Sequence, residues 1–185
     1  MLQRIITTRA KRNQDLFPIY GDAEISECGL YRYKLMRRWE PVYPNLKDHI
    51  LTWVMLNPST ADGLVNDPTI TRCMGFAQRW GYSGIDVLNL FAFRATDPAD
   101  LSRAASHASV DPIGPKNDLY LFKALGTDGI VVAAWGAHKA AMTRAQSLTY
   151  RKHLWASLGV TKAGHPRHPL YVSGDTTLES WEPAA

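Results

Sequence analysis

The sequence predicts an α/β protein: a three-layer α/β/α sandwich with a central, mostly parallel four-stranded sheet, plus added N-terminal strands. Continuous apolar runs recur along the chain, as in strands buried on both faces of a parallel sheet. Helical segments with start and stop signals separate them. The resulting β-α-β-α-β-α-β order demands right-handed crossovers and helices on both faces.

Residues 1–28 are polar and read as an irregular extension, while 30–39 (LYRYKLMRRW) alternate partly between bulky and basic side chains, a strand or hairpin signal. A turn-rich connector, Glu40–Pro44, follows. The run 50–56 (ILTWVML) is the first buried strand and stops at Asn57-Pro58. Asp67 and Pro68 supply an N-cap and a first-turn proline for a helix that runs through Trp80 and stops at Gly81. Residues 84–90 (GIDVLNL) form a second buried strand, and a long polar connection follows, with a short helical stretch at Pro98–Ala105. Gly114-Pro115 opens a helix to about Leu125; 129–135 (GIVVAAW) is a third strand; 138–148 read as helical. Residues 153–160 (HLWASLGV) suit a fourth strand, because Gly164 and a proline-rich loop follow. No repeat, linker or low-complexity tract divides the chain, so one domain over 1–185 is expected.

With 185 residues, 45% of them hydrophobic, the chain can bury a full core. No apolar run is long enough to span a bilayer. The first residues, MLQRIITTRAKRNQ, lack a signal-peptide core, so the expected location is cytoplasmic and no membrane partner is expected. Two cysteines suit a reducing compartment and cannot supply the four thiolates of an iron–sulfur cluster. The six histidines sit in no HExxH or CxxC-type pattern, so neither metal nor cofactor is expected. The net charge of +4 and pI of about 9.1 are compatible with a polyanionic partner and equally with none.

Ligands of parallel sheets bind beyond the carboxyl ends of the strands. Asn57, Asn89, Gly136 and the 165–170 loop all follow strand ends, so one cleft can collect them. In MLNPSTADG (55–63), Asn57 can position a water and Asp62 can act as a base, with Pro58 and Ser59 beside them; the same segment also reads as an Asx-Pro turn that ends the strand. In VLNLFAFRATDP (87–98), Asn89 can read a carbonyl and an N–H of a base edge, with Phe91 nearby, and Arg94 and Thr96 are placed to meet phosphate. Alternatively, Asn89 is a buried amide bonded to loop backbone. In GHPRHPLY (164–171), His165 or His168 can stabilise charge on a leaving group, or serve only as turn residues.

In this order, the three segments resemble the uracil-DNA glycosylase superfamily, which places a water-activating G-x-N-P-G or G-Q-D-P loop after the first core strand. A strand ending in a base-reading Asn follows, and a final H-P-S-type loop supplies a His. The resemblance implies that fold. It also implies Asn57 for water, Asn89 for the base, His168 for the departing base, and Leu170 as the apolar wedge. His165 competes with His168, Arg167 or Leu170 stands where the family has a small residue after His-Pro, and Arg167 and Leu170 are expected to contact DNA. Met55 replaces the family's glycine. The chain also looks like an uncharacterised bacterial and phage family marked by NPSTAD and P-x-H-P-L-Y, over roughly residues 29–183. The implied activity is hydrolysis of the N-glycosidic bond of a flipped-out damaged or modified base, with DNA or a nucleotide as ligand and a monomer as the expected state. An enzyme of free nucleosides or nucleotides, or a non-catalytic nucleic-acid-binding module, fits the same residues.

Overall fold

The computed structural model describes residues 6–8, 19–39, 49–59, 61–63, 65–97, 100–101, 103–104, 110–126, 128–149 and 154–182. The Glu40–Pro44 connector lies outside these residues, and so does part of Pro98–Ala105, where 100–101 and 103–104 are helical. In chain order the strands are β1 (Ile6–Thr8), β2 (Ile19–Ile25), β3 (Arg32–Arg38), β4 (Ile50–Met55), β5 (Gly84–Asn89), β6 (Ile130–Ala133), β7 (Leu154–Ser157) and β8 (Glu179–Ser180). The helices are α1 (Pro68–Arg79), α2 (Asn117–Ala124) and α3 (Lys139–Thr149), with a single 3-10 turn at Pro169–Tyr171.

The sheet corrects the sequence expectation. Among the described residues it is eight-stranded and mixed, in the order β1-β2-β3-β5-β4-β6-β7-β8, rather than a mostly parallel sheet of four. Antiparallel pairings (β1–β2, β2–β3, β3–β5 and β7–β8) outnumber the parallel ones, β4–β5, β4–β6 and β6–β7. The difference arises at both edges. Part of the segment read as an irregular extension forms β1 and β2, and β3 joins this meander directly to β5. Strand β2 (IYGDAEI) carries little apolar alternation, so its place is set by backbone pairing with β3 rather than by its own pattern. At the other edge, β8 pairs with β7 over two residues.

Side chains alternate between the sheet's faces and bury two clusters. Leu51, Trp53 and Met55 of β4, with Ile85 and Val87 of β5, pack with Ile70, Cys73 and Phe76 of α1. On the other face, Val54 and Leu88 pack with Leu121 and Leu125 at α2, Ala145 and Leu148 of α3, and Trp155 of β7. Helix α1 begins as its sequence dictates: the Asp67 carboxylate accepts from Ile70 N–H at 2.8 Å, and Pro68 occupies the first turn.

Asn57 and Asn89 lie on the α1 side, each two positions after an apolar residue of that row, where the ladder ends. Beyond it, Leu90 N–H still donates to Met55 O and Phe91 N–H to Leu56 O. The last carbonyls of β5 are taken by Asn117, fully buried, whose amide nitrogen donates to Asn89 O and Leu90 O, both at 3.0 Å. Arg144 adds a donation from Nε to Leu90 O at 3.1 Å and pairs with Asp118. Asn117→Ala is expected to lower the free energy of unfolding by about 2 kcal/mol, measured by urea denaturation, because buried carbonyls lose their donor.

Candidate functional site

A cavity of about 590 Å³ opens at the carboxyl ends of β4, β5 and β6, on the α1 side. Its volume falls in the range of roughly 300–1,000 Å³ usual for small-molecule sites. Asn57, Ser59, Asn89, Thr96, Gly136, His168 and Leu170 line it, so the segments that follow three different strands meet there. Arg32, Asp67, His138 and Tyr171 complete the polar and aromatic wall.

Asn89 is 1% exposed, and neither its amide nitrogen nor its amide oxygen has a hydrogen-bond partner among the described residues. Among the described residues, no other buried side chain leaves two polar atoms without one. Burying an amide without partners costs about 1–3 kcal/mol, so the protein carries this group at the expense of stability. What Asn89 can offer a ligand is one donor and one acceptor side by side.

Asn57 is committed on one side. Its Nδ2 donates to Ala95 O at 2.8 Å and to Pro58 O at 3.1 Å, while Ala95 N–H donates to Pro58 O at 2.9 Å. The NPST and FRAT segments are thereby tied together, and any role of Asn57 toward water falls to Oδ1.

His168 caps the 3-10 turn. Its Nδ1 accepts from Leu170 N–H at 3.3 Å, which leaves the proton of the neutral ring on Nε2 as a donor. Burial holds the imidazole below its ordinary 6.5, and the Asp67 carboxylate pulls the other way. Two contacts seat this loop. Arg72 of α1 stacks over Phe76 at 5.1 Å and donates to Val172 O at 2.7 Å and Pro169 O at 3.3 Å. Gly136, at φ +73°, donates its N–H to Pro166 O, and a Cβ there would lie 3.6 Å from that of His168.

The structure separates the two histidines of the loop. His165 belongs to a turn in which Thr161 N–H donates to His165 O and Val160 bridges Pro166, and it does not line the cavity. Asp62 is not brought into the cavity either: its carboxylate accepts from Val65 N–H, and its carbonyl accepts from Arg37. Asp67 is the carboxylate in the wall instead. Pro58 and Phe91 do not line the cavity. Arg94 donates to Gly29 O, and Arg167, exposed, donates to Val160 O; neither lines the cavity. Leu170 and Tyr171, 43% and 80% exposed, form an apolar lip.

Arg32, Asp67 and His138 were not singled out from sequence. Asp67 was visible only as a helix cap. His138 repeats the capping pattern of His168, with its Nδ1 accepting from Ala140 N–H at 3.3 Å. Arg32 depends on a bulge: Glu24 pairs with Lys34 but Ile25 with Arg32, so the register skips Tyr33. Tyr33 then stacks on Tyr120 of α2, while Arg32 turns to the α1 side and donates from Nη1 to Ala61 O. Among the described residues no group of three or more His, Cys, Asp or Glu side chains can hold a metal ion, and no helix is long and apolar enough to cross a membrane.

Fold and cavity together define an α/β protein with a cavity where parallel strands end. Residues 32–170 match the family described as "Protein of unknown function (DUF1643)", and the chain belongs to that family. No curated protein and no solved structure matches the chain. The matched span opens on Arg32 and closes on Leu170, both in the cavity wall.

Asn89→Leu is expected to change stability by between roughly 0 and +2 kcal/mol in urea unfolding, opposite in sign to Asn117→Ala, because it removes unbonded polar atoms. For His168, the folded-state pKa lies below the unfolded value. Its contribution to stability is therefore complete above pH 6.5 and lost as pH falls from 6.5 through the folded-state value. Urea midpoints at about pH 7.5 and about pH 5.5 should accordingly differ less in His168→Gln than in the wild type.

Proposed function

We propose that the protein is a glycosylase-type hydrolase that takes a nucleobase into this cavity and cleaves its N-glycosidic bond. Asn89 carries the reading. A buried amide with both polar atoms unbonded suits a planar edge that offers a carbonyl and an N–H together, which is what a nucleobase presents. The resemblance of the three cavity segments to the uracil-DNA glycosylase superfamily supports the same assignment, although the sheet is not the one that resemblance implies.

In this mechanism a flipped-out nucleotide places its base against Asn89, at an unstacking cost of about a few kcal/mol. Leu170 and Tyr171 at the lip meet the bases left behind. The glycosidic C–N bond breaks and its electron pair leaves with the base. His168 Nε2–H donates to the negative charge that develops there. Asn57 Oδ1 orients a water whose oxygen bonds to the anomeric carbon. The proton that water loses ends on the released base. Asp67, rather than Asp62, is the carboxylate placed to offset positive charge on the sugar. A modified or deaminated base requires the same chemistry as uracil. On this reading the partner is DNA, met by a cytoplasmic monomer with a net charge of +4.

Oligonucleotides carrying uracil, deaminated purines and bulky modified pyrimidines, followed by alkaline cleavage, test the proposal. At least one base should be released, and Asn57→Ala and His168→Ala should each slow release by about 10²–10³-fold. Release that survives the double substitution contradicts the assigned roles, and no release across the panel contradicts the activity.

A further inference from the structure

We infer that Arg32 forms an oxyanion subsite in the cavity, recognising a phosphate or carboxylate carried by the same ligand whose base edge Asn89 reads. The inference shares its cavity with the glycosylase reading, and rests on that reading for the base but not for the hydrolysis.

Of the three arginines on strand β3, Arg32 and Arg37 are each only 2% exposed, and the protein uses these two differently. Arg37 is spent on scaffolding. Its Nε donates to Asn66 Oδ1 at 2.7 Å and its Nη1 to Met36 O at 2.8 Å. Its Nη2 donates to Asp62 O at 2.6 Å and to Val65 O at 3.2 Å. All three nitrogens are engaged, and together they hold the loop that leads into Asp67. Among the described residues Arg32 makes one such contact, from Nη1 to Ala61 O at 2.5 Å, and its Nε has no partner. Among the described residues no carboxylate lies within ion-pair distance of it; Asp67 and Asp62 act on it only from farther away. Desolvation draws its pKa down to about 10, so the group remains a cation at neutral pH.

A buried guanidinium with an idle donor and no ion pair is expensive. Holding Ala61 in place does not account for it, since a neutral donor makes that bond as well. A ligand oxyanion does account for it: it supplies the missing acceptor and the missing charge, and the planar guanidinium fork suits carboxylate and phosphate geometry. The placement agrees. β3 is the neighbour of β5 in the sheet, and the skipped Tyr33 turns Arg32 to the face that Asn89 occupies. Both residues line the one cavity. The site therefore reads two features of one ligand, a donor–acceptor edge and a nearby oxyanion.

Calorimetric titration of the full chain at constant ionic strength tests this with inorganic phosphate and two matched pairs. Thymidine against its 5′-monophosphate isolates a nucleotide phosphate; uracil against its 6-carboxylate isolates a carboxylate on the base. Inorganic phosphate should bind measurably, and in one pair the oxyanion-bearing member should bind about ten- to a hundredfold more tightly, the effect of a charge-assisted hydrogen bond. The pair that responds identifies the source. Arg32→Met should abolish the difference, and Arg32→Lys, which keeps charge without the fork, should retain part of it. Circular dichroism checks that both variants fold, and the wild-type preference stands as a test without them. Equal affinity within both pairs, no binding of any anion, or a preference that survives Arg32→Met overturns the inference. Base excision without oxyanion preference removes this inference alone; oxyanion preference without excision removes the hydrolysis and leaves the subsite.

Discussion

The site depends on how the parallel ladder is terminated at β5. Strand ends leave carbonyls that need donors, and those of Asn89 and Leu90 receive the amide of the fully buried Asn117. With its backbone satisfied in this way, Asn89 is fixed at the cavity floor, and its side chain is left with nothing to bond. Two asparagines in adjoining positions thus play opposite parts. One completes the fold and the other is withheld from it. A rigid backbone beneath an unsatisfied amide is the arrangement expected of a preorganised recognition group.

The other walls are held by arginines acting on carbonyls. Arg37 grips the loop before α1, Arg72 grips the turn after His168, and Arg144 supports Asn117 at Leu90. Each ties a loop to a regular element, so residues distant in sequence are set by strands and helices rather than by the loops' own preferences. Asn57 adds a cross-tie between two loops through Ala95. Arg32 departs from this pattern, with an idle Nε in the cavity wall. Asn89, with both amide atoms unbonded, and Arg32, with an unbonded Nε, line the same cavity, where a ligand can repay the cost of those unmade bonds.

Much of the frame was legible because local signals and tertiary need agree. The runs at 50–56 and 84–90 are apolar on both faces, as strands covered on both sides must be, and Asp67-Pro68 and Gly81 bracket α1. The meeting of Asn57, Asn89 and His168 at strand ends was legible for the same reason. What failed was set by distant contacts. β2 has no clear alternation and is defined by pairing to β3. The orientation of Arg32 follows from a skipped residue that no pattern in 30–39 betrays. Asp62 looked like the carboxylate of the motif, yet Arg37 and Val65 hold it in the loop while Asp67 reaches the cavity. His165 and His168 share the same His-Pro context, and only the turn closed from Thr161 tells them apart.

Everything proposed for the cavity turns on the Asn89 amide being held open for a ligand. The most direct measurement is the side-chain NH₂ resonance pair of Asn89 in ¹⁵N-labelled protein, assigned by its loss in Asn89→Leu and followed through titration with a nucleobase ligand. This pair should shift saturably and together with the imidazole signals of His168. An Asn89 pair that stays fixed while the ligand binds and shifts other residues would contradict that role.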